Sequence, residues 1–419
     1  MPKSFWLFSV ALSLMAQQYN LQCRCDTSTL QCSCQLSPVV APPAPPPPAP
    51  DASLTTDTSP KPVVPLSRPT PGQVIVEPTF GTKIVRVTDD TSSWTHLHTD
   101  NALSLNNRWL MFYNLNGMGG RLASFDPVTL RVLGVWKELG TAPNSTRVFR
   151  PFPKVWSTTD GDKAWTVSGL EIGYWNFANG TFTVAANLKG QLPPDVAYLV
   201  FRSMSADERR FVLQTQDSAF VYTGMAVYDM VQQKVVYFQR APGIKPNGDQ
   251  SGKWAVSVVP EQIIEVDTGN IRPFPYNFVW HASYGHEAIY GPDSARHDFR
   301  KFDLRTLVSS LILPQTPSTD WSQGTHTSIT LDEKWLCSSR FTQTKTPGAV
   351  EWLRDEIDLI LTDGSGRLKR LAHHRSNWVL TGNYWHMPRA AVSYDGKFVV
   401  FTSNWGDPAR SDVYVIAVP

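Results

Sequence analysis

The feature that most constrains this chain is a short pattern that recurs seven times, a polar turn followed at once by an apolar strand. It reads SLNNRWLMFY at 104–113, TDGDKAWTV at 159–167, SADERRFVLQ at 205–214 and DQSGKWAVSV at 249–258. It continues as SYGHEAIY at 283–290, TLDEKWLCSS at 330–339 and SYDGKFVVFTS at 393–403. The first apolar residues after the turns are Trp109, Ala164, Phe211, Trp254, Ala288, Trp335 and Phe398, with gaps of 55, 47, 43, 34, 47 and 63 residues. The mean, about 48, is the repeat length of a four-stranded propeller blade. Six units carry a second hairpin, at 122–136, 174–188, 226–238, 263–274, 299–313 and 359–371, each alternating around an Asp, Asn or Gly turn. The last unit ends in DVYVIAVP without a partner strand, and KIVRVT at 83–88 is a strand without a hairpin. Pairing those two would close a ring and leave no bare sheet edge. The expectation is an all-β, seven-bladed β-propeller over 73–419.

Composition supports a packed, turn-rich chain. Gly and Pro number 26 and 33, and 20 Phe, 15 Trp and 13 Tyr supply a large core. Lys plus Arg is 38 against 36 Asp plus Glu, a net charge of +2 that offers no basic face for nucleic acid.

Ahead of the repeats, 1–16 reads as a signal peptide, with Lys3 before the apolar run FWLFSVALSLMA, although an uncleaved membrane anchor has the same pattern. The expected location is secreted, or periplasmic and associated with the cell envelope. Residues 17–37 hold Cys23, Cys25, Cys32 and Cys34, which suit two disulfides in any of three pairings, or a four-thiolate metal site. Cys337 is left over as a buried, inert thiol. Residues 38–72 read as a semi-rigid spacer, with 13 prolines between Pro38 and Pro71. No transmembrane span is expected beyond the signal segment, and the protein is expected to be a monomer.

The turn-plus-strand unit, clearest in SYDGKFVVFTS, resembles the WD40-like repeat of TolB-type propellers. A subset of these, the oligogalacturonate lyases, carries a Gln-x-x-His-x-His-like metal run before the final repeat. The matching place reads Asn383, Tyr384, Trp385, His386, Met387, Pro388. His386 matches, Asn383 stands at the amide position, and Pro388 replaces the second histidine. The resemblance implies a divalent metal (Mn, Zn or Ca) held by His386, Asn383 and His326.

In a propeller the innermost strand of each blade begins beside the central channel, so residues just ahead of each repeat converge on one funnel. Those positions hold His96, His98, Asp100, Phe152, Lys154, Arg202, His281, Gln323, His326, His386 and Arg389, flanked by Trp321, Tyr384 and Trp385. Five of the nine histidines fall there. They suit metal ligation, or a general base beside a cation that neutralises a carboxylate. As a third reading, Trp385, Tyr384 and Trp321 suit stacking on sugar faces while the cations hold acidic groups; a purely structural hydrogen bond to the next blade is the remaining one. The candidate catalytic set is His326, His281, Arg389 and Arg202; the candidate ligand-binding set is His98, Trp321, Tyr384, Trp385 and Lys154.

His373 and His374 read as solvated, and WLRDEIDL at 352–359 as an exposed loop feeding a strand. The functional expectation is an exported binding or scaffold propeller for a carbohydrate or protein ligand. The alternative is a polysaccharide lyase. It would neutralise a uronate carboxylate, remove the adjacent proton through His326 or His281, and cleave by β-elimination.

Overall fold

The repeated motif is the turn between the first and second strand of a blade. In SLNNRW, SADERRF, TLDEKW and SYDGKF the leading hydroxyl accepts the N–H five residues on, as Ser104 does from Trp109 and Ser393 from Phe398. The third residue, Asn106, Asp207, Asp332 or Asp395, accepts the N–H two residues on. The fourth residue adopts left-handed backbone: Asn107, Glu208 and Glu333 at φ of 58°, 57° and 58°, and Gly396 at 73°. The second strand then starts on the apolar residue that marks the repeat, or one residue before it.

A computed structural model describes residues 19–26, 31–38, 53–89, 93–96, 101–114, 120–137, 153–274, 281–293, 296, 298–314, 323–342, 355–378 and 383–419. The chain forms two compact units, Met1–Ala52 and Ser53–Pro419. In the first, strand β1 (Tyr19–Asp26) pairs antiparallel with β2 (Gln31–Pro38).

The second unit is a seven-bladed β-propeller. Six antiparallel four-stranded sheets follow in chain order at 94–137, 155–187, 198–240, 246–273, 283–313 and 323–373. The seventh is five-stranded: the strands within 391–417 are completed by β4 (Lys83–Arg86) and then β3 (Val74–Val76). Val85 faces Val415 across this closing pair, so KIVRVT closes the ring as its pattern implied. The apolar core lies between facing blades. Trp94, Leu110, Phe112 and Phe125 of blade one meet Phe398, Val400, Val413 and Val415 of blade seven. Among the described residues no helix is long and apolar enough to cross a membrane.

Three expectations change. The unit that contains the propeller begins at Ser53, so 53–72 belongs to it as a largely exposed strap tied to the blades at several points, not as a free spacer. Thr55 and Leu368 exchange both backbone hydrogen bonds at 2.9 Å, and Leu54 packs on the core between blades six and seven. Arg68 pairs with Asp407 and Asp412 at 3.0 and 2.6 Å, and Trp405 Nε1 donates to the Leu66 carbonyl. Proline keeps this strap extended without needing N–H partners, and an extended strap lies well along a blade. His373 and His374 are fully buried, His373 against Glu77 (3.3 Å) and His374 Nε2 donating to the Arg340 carbonyl (2.7 Å). Glu356–Leu361 is a wholly buried strand whose Glu356 is paired with Arg370.

Candidate functional site

Each inner strand ends at the turn just described, and the turn provides a common register. Its closing bonds run from the N–H of Ser104, Ser157, Ser205, Asp249, Gly285, Thr330 and Ser393. Four residues earlier stand Asp100, Pro153, Phe201, Lys245, His281, His326 and Arg389. His281, His326 and Arg389 are therefore one level of the funnel seen in three successive blades. Lys245, exposed on blade four at the same level, was missed; counting back from DQSGKW by the same rule would have found it.

The two histidines repeat one contact. His281 Nδ1 lies 3.3 Å from the Thr325 carbonyl, and His326 Nδ1 lies 3.2 Å from the Pro388 carbonyl. Each acceptor sits one residue before the equivalent position of the next blade. A carbonyl only accepts, so Nδ1 carries the proton in both rings and Nε2 keeps the lone pair. The rings stack with centroids 4.3 Å apart. Burial, with a smaller push from Arg389, lowers the pKa of His281 and keeps it neutral.

Arg389 is 1% exposed, yet among the described residues no carboxylate pairs with it. Its guanidinium lies 4.2 Å from the centre of the Tyr384 ring and 4.4 Å from that of Trp385, and Nη2 donates to the Tyr384 carbonyl at 3.1 Å. Burial lowers its pKa to about 10, so it stays cationic at neutral pH. The two rings in front of it are 46% and 41% exposed and sit on a single 3₁₀ turn, Tyr384–His386, capped by Asn383. Behind it, His96 is buried with Nδ1 3.2 Å from Thr402 Oγ1; burial, then repulsion from Arg389, lowers its pKa to about 3.

The metal set does not assemble. His386 is held between the side-chain amides of Asn383 (3.1 Å to Nε2) and Asn404 (3.5 Å to Nδ1). Asn383 Oδ1 is used as the cap, accepting from Trp385 N–H. His326 points its Nδ1–H at a carbonyl and lies nearly parallel to His281, so the two rings stack and do not converge on an ion. Among the described residues no three His, Cys, Asp or Glu side chains gather as a metal cage. These residues do not fit a divalent ion.

The other candidates are dispersed. Lys154 is half-buried with Nζ 5.4 Å from the Tyr113 ring centre. Arg202 donates from Nε to Gln214 (2.9 Å) and lines a channel cavity of ≈ 150 Å³ with Asn247, Ser283, Thr327 and Tyr394. Gln323 begins the inner strand of blade six. His98, Asp100, Phe152 and Trp321 lie outside the described residues.

No family matches the chain, and no curated protein does. Solved structures do. An oligogalacturonate lyase in complex with manganese aligns at a TM-score of 0.56 and 13% identity, covering 84% of this chain and 98% of that one. An oligogalacturonate lyase from Vibrio parahaemolyticus aligns at 0.53 and 13%, covering 84% and 99%. At this identity the chain shares with those lyases the propeller architecture.

Proposed function

We propose that this propeller is a binding module that takes an acidic carbohydrate at the funnel mouth on blade seven. The observation that carries the reading is Arg389, a buried cation with no carboxylate partner among the described residues, behind two exposed aromatic rings. A desolvated guanidinium is costly when unpaired, and a ligand carboxylate would offset that cost with a forked pair of hydrogen bonds. Flat aromatic faces suit the apolar face of a sugar ring. Blade three carries another aromatic pair, half-buried Tyr198 and exposed Phe220, stacked with centroids 4.6 Å apart.

The lyase reading is kept for one observation: His281 is a neutral imidazole with a basic Nε2. The likeness to a manganese-bound lyase adds little to it, because the residues at the matching metal run are committed to one another.

Both readings are tested on the purified full chain with uronate polysaccharides and their methyl-esterified counterparts. Calorimetry should show binding of the free acids, weakened at least tenfold (about 1.4 kcal/mol) by Arg389→Met, and a flat absorbance for unsaturated uronate. A rising absorbance, lost in His281→Gln, would establish the lyase instead. Equal affinity for acid and ester, or none for either, would reject the binding reading.

A further inference from the structure

We infer that Cys23 is bonded to Cys34 and Cys25 to Cys32, a ladder of two disulfides across the ribbon of β1 and β2. The spacing CxC on each strand is two residues, so all four cysteines share one face of the ribbon. The register places Cys23 opposite Cys34 and Cys25 opposite Cys32. Directly opposed residues of an antiparallel pair have Cα atoms about 4.5–5.5 Å apart, within the disulfide range of roughly 4.4–6.8 Å. The other two pairings ask more of the backbone. Cys23 with Cys32, and Cys25 with Cys34, are diagonal partners about 7–8 Å apart. Cys23 with Cys25, and Cys32 with Cys34, would each join same-face neighbours along one extended strand, about 6.6 Å apart at Cα and no closer at Cβ, whereas a disulfide needs Cβ atoms roughly 3.5–4.5 Å apart. Only the nested pairing lets both bonds close without moving the ribbon.

The ladder also answers a physical need. A lone two-stranded ribbon is marginal in water, and cross-links that constrain its unfolded form hold it together. Each bond forms by exchange with a small-molecule disulfide such as oxidised glutathione. Two thiols lose two protons and two electrons, and the oxidant is released as two thiols. The inference does not rest on the ligand proposed for the propeller.

Thiol titration of the denatured full chain, blocked before unfolding is allowed to reshuffle bonds, provides the test. Of five cysteines, the wild type should show only Cys337 as free thiol. The double variant Cys23→Ser with Cys34→Ser should likewise show one. Cys23→Ser with Cys32→Ser should show three, because it strands Cys25 and Cys34. Peptide mapping after cleavage at Arg24 and Asp26 should find the Cys23 and Cys25 peptides both linked to the one that holds Cys32 and Cys34. Equal thiol counts in the two double variants, or the counts reversed, would overturn the pairing. Five thiols with stoichiometric zinc in the purified chain would replace it with a four-thiolate metal site.

Discussion

The funnel histidines show what residue spacing can and cannot reveal. His281 and His326 stand out in sequence because the turn motif fixes how far ahead of it a funnel residue lies. What spacing could not show is that each ring is turned toward the carbonyl of the next blade, so their convergence is partly mutual stitching. His373, Glu356 and Asp358 were misplaced for a related reason: what buries a polar side chain is contributed by segments far away, Glu77 in the case of His373. His96 makes this burial measurable. Its folded pKa is lowered from 6.5 to about 3, so the unfolded chain binds its proton first, and stability falls as pH drops below 6.5. Wild type should lose about 2 kcal/mol more than His96→Gln between roughly pH 8 and pH 5, by denaturant unfolding at each pH. Parallel curves for the two proteins would show that His96 titrates normally.

At the level of the element, the turn between first and second strands is both what made the fold readable and what joins blades. Its polar residues recur because each accepts a particular N–H, and that regularity survives where apolar identity drifts. Its left-handed fourth residue also reaches sideways. Glu208 accepts from Thr158 N–H at 2.9 Å, Trp165 Nε1 at 2.9 Å and Lys163 Nζ at 3.0 Å, all on blade two, and from the Ser157 hydroxyl. Glu333 does the same for Tyr290 and the N–H of His286 on blade five. A glutamate at left-handed φ in a turn looks like a poor choice until the neighbouring blade is present. Removing the Glu208 carboxylate orphans several donors, among them the buried Trp165 Nε1 and the half-buried Lys163 ammonium. Glu208→Ala should cost roughly 3–5 kcal/mol in urea unfolding, and Glu208→Gln, which keeps one acceptor, clearly less. A loss under about 1 kcal/mol would mean the blades are held by apolar packing alone.

For the whole molecule, ring closure was legible and the strap was not. An unpaired strand at each end of a repeat array has one economical partner, and Lys83–Arg86 finds it on Asp412–Ala417. Proline density, by contrast, says only that a segment cannot join a ladder. It is silent on whether the segment lies along one. Five of the prolines fall between 60 and 71, in the stretch that the structure binds to the propeller; Pro38 ends β2, and the other seven fall in 42–50, outside the described residues. Truncation separates these roles. A chain beginning at Ser53 should melt with the full protein. One beginning at Gln73 gives up the Arg68 ion pairs, the Trp405 bond to Leu66 and the Thr55–Leu368 bridge, and should lose about 2–3 kcal/mol, a fall of roughly 5 °C in Tm. One beginning at Val87 also loses Ile84 and Val85, both fully buried, and bares the Asp412–Ala417 edge, so it should aggregate. Equal melting of the Ser53 and Gln73 chains would return 53–72 to the status of a spacer that merely touches the blades. A soluble, cooperatively folded Val87 chain would show that the seventh blade holds without its closing strand.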